Sequence, residues 1–388
     1  MNIAGLLTCF NDNFSGEPRI FRAPGRINLI GEHTDYNLGY VLPAAIDKAM
    51  YFAVRKREDD RISVIAYDLD ERISWKLGDR PQPATGWVAY IYGMVDIMDK
   101  GGYPLSGFDC VFGGDIPFGA GVSSSAALES GMGCALRALM DLSFDDWELV
   151  KMALRTEHEY VGLKCGVMDM FACVFGRQDK VMLLDCRSLE HQYVPFDIAG
   201  YALVLCDTKV SHSLASTEYN TRRMQCEKGI QIIRKQYPDV ESLRDVSLAQ
   251  LDACKSDLDP VIYKRCRYVI EENHRVLAVC KELESGNLDT VGSYLYASHD
   301  GLQHEYEVSC PELDFLVDLT REDTAVLGSR MMGGGFGGCT INLVDKEALD
   351  SFSNRMKEAY RQKWDQDLPL YIMHPGAGVG EFETELMG

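Results

Sequence analysis

Two stretches of the chain gather side chains whose types and spacing could do chemistry. Residues 23–39, APGRINLIGEHTDYNLG, set Arg26, Asn28, Glu32, His33 and Asp35 between apolar flanks. Gly31 on one side and Asn37 with Gly39 on the other make Glu32, His33 and Asp35 the tip of a turn. Carboxylates and an imidazole on a rigid turn are suited to bidentate hydrogen bonds with vicinal hydroxyls. The bland alternative is a solvated hairpin tip, which would more often carry Lys or Ser. The second stretch, residues 113–128, reads GGDIPFGAGVSSSAAL, a glycine-rich loop followed by three serines that open a helix. Glycines let the backbone approach an anion and turn its N–H groups inward. The first helical turn adds unpaired N–H groups and the positive end of the dipole. Phosphate oxygens therefore fit Gly119, Ala120, Gly121, Val122, Ser123, Ser124, Ser125 and Ala126, and a serine hydroxyl there can ligate magnesium.

What is missing narrows the class. No G-x-x-x-x-G-K-[ST] is present, which excludes a P-loop NTPase, and the protein-kinase signatures are absent. Gly333, Gly335 and Gly338 match G-x-G-x-x-G, but they precede the strand-like TINLV at 340–344. A dinucleotide fingerprint would follow a strand and open a helix, so that fold is rejected.

The elements that must position these groups are mixed. Strands are expected near 50–54, 62–66, 73–77 and 108–112, with a helix over 87–98. Helices follow over 124–142 and from Asp145 to about 160. The second half adds a strand at 201–206 and helices near 216–235, 260–284 and 288–304. A strand at 340–344, a helix over 346–363 and a strand at 368–373 close the chain. Without regular βα alternation this is an α+β pattern. The least structured join is expected at 188–200, dividing the chain into domains 1–195 and 196–388. Of 388 residues, 59 are acidic and 39 basic, a net charge of -20 that argues against nucleic-acid or anionic-membrane partners. No apolar run approaches the ~18 residues of a membrane span. The first ten residues lack the basic start and the apolar length of a signal peptide. Thirteen dispersed cysteines with no C-x-x-C pair fit reduced thiols in a cytoplasmic protein.

The stretch GRINLIGEHTDYNLGYVLPAAI, the loop GAGVSSSAALE and the segment RMMGGGFGGCT resemble the three signature motifs of the GHMP small-molecule kinases. The first is similar to the form found in galactokinases, and the resemblance runs from about residue 22 to 344. It implies a two-lobed architecture, with an N-terminal lobe like domain 2 of ribosomal protein S5 and a ferredoxin-like C-terminal lobe. It also implies transfer of the γ-phosphoryl of Mg-ATP to the C1 hydroxyl of α-D-galactose, in a monomer or weak homo-oligomer. By the same resemblance Asp169 is the catalytic base and Arg26 its charge partner. Glu32, His33, Asp35, Gly166 and Tyr219 are implied as sugar contacts, Ser125 and Glu157 as Mg2+ ligands, and residues 333–338 as a loop over the phosphates. Met170 departs from the family's usual glutamine and Cys173 from a frequent serine; 206–209 and 376–380 depart as well. Other readings are a GHMP kinase acting on N-acetylgalactosamine, L-arabinose or a uronic acid, a galactose-binding regulator without catalysis, and a mevalonate or homoserine kinase.

Overall fold

A computed structural model describes residues 3–117, 119–198, 200–210 and 215–383. Phe118 of the glycine loop and residues 211–214, in the segment that ends at Tyr219, lie outside them. The strands are β1 (Arg19–Asn28), β2 (Tyr40–Val41), β3 (Pro43–Lys56), β4 (Arg61–Ala66), β5 (Glu71–Lys76), β6 (Phe108–Gly114), β7 (Lys180–Asp185) and β8 (His191–Pro195). The chain then forms β9 (Tyr201–Asp207), β10 (Val326–Met332), β11 (Cys339–Asp345), β12 (Leu370–Met373) and β13 (Gly380–Glu381). The helices are α1 (Ile3–Asn13), α2 (Trp87–Lys100), α3 (Ser124–Leu139), α4 (Asp146–Thr156), α5 (Met168–Phe175) and α6 (Ala215–Gln236). They continue with α7 (Leu248–Ala253), α8 (Pro260–Ser285), α9 (Leu288–Gly301), α10 (Pro311–Asp318) and α11 (Leu349–Trp364).

Side-chain alternation explains the first lobe. Along β3, Phe52 and Val54 face one side of a six-stranded sheet ordered β13-β1-β3-β6-β4-β5, and Ala53 faces the other. The first face carries the main core, where α2, α3, α4 and α5 bury Met94, Leu128, Met132, Leu149 and Met170. On the second face α1 packs Leu6 and Phe10 against Ala53, Ile65 and Val111. That helix was not anticipated, although Ile3, Leu6 and Phe10 share one helical face. The second sheet, ordered β10-β11-β9-β12, is antiparallel throughout. Residues 191–195, expected to lie in an unstructured join, form β8 and pair with β7; apolar Val194 against Val181 supplies the reason. After β12 the chain returns, and β13 pairs with β1 in the first sheet. Together these make the two-lobed α+β architecture.

The helices that bear on the site begin where the sequence provides caps. Asp145 accepts the Glu148 N–H at 2.8 Å and starts α4. At its far end α4 widens into a π turn over Glu157–Val161, a feature common at functional positions. No helix among the described residues is long and apolar enough to cross a membrane.

Candidate active site

β1 ends at the turn that carries the polar cluster, and the second lobe fastens that turn. Arg330, at the end of β10 and fully buried, donates to the Leu29 carbonyl at 2.8 Å, to the Asn28 carbonyl, and to Glu32 Oε1 at 3.1 Å. Glu272 on α8 accepts the Gly31 N–H at 3.0 Å, and Asn273 accepts the Tyr40 N–H at 2.8 Å. Tyr268 donates to the Glu32 carbonyl at 3.0 Å. Sequence reasoning missed all four, since each stands over 200 positions from its partner. Only Arg330, the single charge in its strand, offered a local signal.

Held this way, the turn lines a cavity of about 240 Å³ with Arg26, Glu32, His33, Asp35, Leu163, Cys165, Met168, Asp169, Tyr219 and the backbone of Gly333, Gly334 and Gly335. Phe336 completes the wall. Its volume lies below the ~300–1,000 Å³ of sites for drug-sized ligands, and suits a small one. Glu32 already accepts three hydrogen bonds, from Arg330, from the Gly333 N–H at 2.9 Å and from Asn28 at 3.1 Å. About one of its roughly four lone-pair positions is left for a ligand.

His33 sits at φ 62, left-handed, with Nδ1 2.8 Å from the Tyr36 hydroxyl and its ring 5.2 Å from that of Tyr219. Burial, and then the Arg222 charge, push it down to about 3, so the imidazole is neutral at any working pH. Asp35 moves the opposite way, to about 7, because burial and then the Asp169 charge disfavour its ionised form. Gly166 explains how Asp35 fits. A Cβ there would lie 2.2 Å from Asp35 Oδ2, so only glycine leaves the carboxylate its place.

Asp169, in the first turn of α5, meets Arg26 from β1 across the cavity floor. Arg26 Nε and Nη2 each lie 2.8 Å from one carboxylate oxygen, a bidentate pair. The third nitrogen, Nη1, donates to the Gly121 carbonyl at 2.5 Å. Burial works against the charged guanidinium, but Asp169 outweighs it and Arg26 is held above its usual range. Ser123, left-handed at φ 57, also donates to Asp169 Oδ2. The glycine loop is thus tied directly to the Arg26–Asp169 pair.

The loop's outer side borders a second cavity of about 630 Å³. Ser124, Ser125 and Leu128 form one wall, with Trp87, Tyr90, Phe112 and Ile116 among the others. Its apolar, aromatic lining suits a flat heterocycle, and it was not foreseen, because α2 reaches the loop only through the fold. Glu157 lies beside Ser125, which lowers its carboxyl, but burial first and Asp169 further raise it to about 7. Glu157 Oε2 is buried with no partner. The third glycine segment joins β10 to β11 and closes on the loop; a Cβ at Gly333 would lie 3.4 Å from the Gly121 carbonyl. Met170, the family departure, is fully buried among core side chains and does not line the cavity.

Comparison with known proteins fits this geometry. Residues 8–56 match the galactokinase galactose-binding signature, 89–177 the GHMP kinases N terminal domain and 279–362 the GHMP kinases C terminal domain. A mevalonate kinase structure from Methanococcus jannaschii, 16% identical, superposes with a TM-score of 0.63 over 93% of this chain and 99% of that one. Lobes, glycine loops and domain matches together define a GHMP kinase. A galactokinase from Roseiflexus sp. (strain RS-1) is 38% identical over 96% of this chain and 95% of its own length. One from Bacillus subtilis (strain 168) is 38% identical, covering 95% of each. The structure of Lactococcus lactis galactokinase complexed with galactose is 34% identical with a TM-score of 0.92, over 98% of this chain and 100% of that one. The chain belongs to the galactokinase family, and its enzymatic function is that of a galactokinase.

Proposed function

We propose that this chain transfers the γ-phosphoryl of Mg-ATP to the C1 hydroxyl of α-D-galactose, giving α-D-galactose 1-phosphate and ADP. The observation that carries the reading is the bidentate Arg26–Asp169 pair on the floor of the small cavity, tied through Ser123 to the glycine loop. In this reading the sugar lies in the 240 Å³ cavity, with Asp35, His33, Glu32 and Tyr219 as hydrogen-bonding neighbours. ATP lies in the 630 Å³ cavity, its base among Trp87, Tyr90 and Phe112 and its phosphates along residues 119–126.

Asp169 Oδ1 accepts from Arg26 alone, so its other lone pair is open to the C1 hydroxyl. As the oxygen–phosphorus bond forms, the hydroxyl proton passes to Asp169 and the bond from the γ-phosphorus to the bridging oxygen breaks, releasing ADP. Arg26 holds the Asp169 carboxylate in place through the bidentate pair and offsets charge on the transferring group. Ser125 and the unpartnered oxygen of Glu157 fit a magnesium ion, which takes few protein ligands and leaves positions for phosphate oxygens and water. Bound there, the ion would neutralise charge on the β- and γ-phosphates. Thirteen cysteines, none in a disulfide, suit a reducing cytoplasm, and the chain is read as a monomer or weak homo-oligomer.

The test is ADP release from Mg-ATP with galactose, N-acetylgalactosamine, glucose, L-arabinose, galacturonate and mevalonate. Turnover on galactose above the others is the expected result. Turnover on another sugar moves the specificity, and none on any, with galactose still bound, restores the regulator reading.

A further inference from the structure

Glu129 lies on α3 four residues after Ser125, hence on the same helical face one turn further on. It has no exposed surface, and neither carboxylate oxygen has a hydrogen-bond partner. An unsatisfied polar group at such a depth calls for a specific explanation, because its desolvation is uncompensated. The charges that act on it most are those of Glu157 and then Asp169, both acidic. Burial first, and then those two charges, push its carboxyl well above the usual range. Glu157 has the same deficit at Oε2. What the two groups lack is partners for their oxygens, and a divalent cation with its water shell would supply partners to both.

We propose that Glu129 is a positioning residue for the divalent cation of the phosphoryl-transfer site, a third member of the group that Ser125 and Glu157 begin. The inference rests on the nucleotide reading given above. Among the described residues no three acidic, histidine or cysteine side chains meet closely enough to cage an ion by themselves. That suits magnesium, which uses one or two carboxylates and completes its octahedron with phosphates and waters. Glu129 acts from behind the first ligands, its two open oxygens accepting from the ion's water and its side chain facing the ion beside Glu157, as outer-sphere groups do at other metal sites. Its side chain touches neither sugar nor nucleotide cavity, so its effect is confined to the ion.

The test is calorimetric binding of the non-hydrolysable analogue AMPPNP to the full chain, with and without Mg2+. In the wild type, Mg2+ is expected to tighten AMPPNP binding. Glu129→Gln, which keeps shape and removes charge, should cut that tightening by about 10- to 100-fold while leaving metal-free AMPPNP and galactose affinities unchanged. Glu157→Gln should lose it as well. A Glu129→Gln protein with the full magnesium effect, alongside a Glu157→Gln protein without it, overturns the assignment of Glu129 and leaves the nucleotide reading standing. A wild-type chain that binds no AMPPNP, or binds it equally without Mg2+, overturns that reading itself. Should Glu129→Gln fail to fold, Glu129→Asp keeps the charge on a shorter arm and should reduce the magnesium effect by about threefold or more; an unchanged effect again overturns the proposal.

Discussion

Gly166→Ala adds one methyl group and should disable the sugar site. The backbone at 166 does not need the left-handed region, so alanine brings no dihedral strain. The whole effect is steric: the new Cβ would stand 2.2 Å from Asp35 Oδ2, 2.3 Å from Cγ and 2.8 Å from Cβ. Ordinary contact begins near 3.4 Å, so the Asp35 carboxylate must withdraw by roughly an ångström. If that carboxylate binds sugar hydroxyls, the shift removes charge-assisted hydrogen bonds worth about 1.5–3 kcal/mol, or ~10- to 150-fold in affinity. Calorimetry with galactose measures this directly, and AMPPNP affinity in the same protein should stay within about twofold, since the nucleotide cavity is untouched. Asp35→Ala should weaken galactose to a similar degree. The double variant should then be little worse than either single one, because both act through the same carboxylate. A Gly166→Ala protein that binds galactose within about twofold of wild type refutes the reasoning, as does full additivity in the double variant.

Asp169→Asn should lower kcat by at least ~10²-fold while galactose and AMPPNP still bind; normal turnover would remove Asp169 as the base. Trp87→Ala should weaken AMPPNP by about 5- to 150-fold, the range for losing an aromatic platform under a base, with galactose affinity unchanged. Equal AMPPNP binding would move the base elsewhere. Asp35 also links folding to pH. Its carboxyl lies at about 7 in the fold against 3.8 unperturbed, so the folded chain keeps a proton that the unfolded chain releases. The stability this group contributes is full below 3.8, is lost as pH rises to about 7, and is level above that. Against Asp35→Asn, the wild-type Tm should fall progressively between those limits, and a constant difference from pH 4 to pH 8 would contradict the shift.

The parts of the site that were legible in sequence are those built from neighbours in the chain. Glu32, His33 and Asp35 share one turn, and residues 119–126 share one loop, so residue type and spacing carried them. Glu157 is 32 positions from Ser125, and spacing alone gave no reason to pair them; only family resemblance did. Trp87 and Tyr90 read as the opening of an amphipathic helix, because nothing local says that α2 leans over the phosphate loop. Gly166 carries no chemical group at all, and its importance lies in the volume that Asp35 occupies. Among the elements, α1 went unread since its apolar stretch was weighed only as a signal peptide, and β8 because a short strand beside polar residues has little periodicity to show.

The fastening of the sugar turn sets an order on biosynthesis. The turn is complete by residue 39, yet its clamps are Tyr268, Glu272, Asn273 and Arg330, and the edge of its own sheet is β13 at residues 380–381. Arg19 is tied to Glu381 by two hydrogen bonds of 2.7 Å across 362 positions. At ~5–20 residues per second, the ribosome needs a further ~15–60 seconds after residue 39 before Arg330 exists. Throughout that interval Glu32 lacks the Arg330 and Gly333 donors that hold its Oε1. The sugar pocket is thus among the last features the nascent chain can form, and any truncation before β10 yields a first lobe that carries the motif without a site.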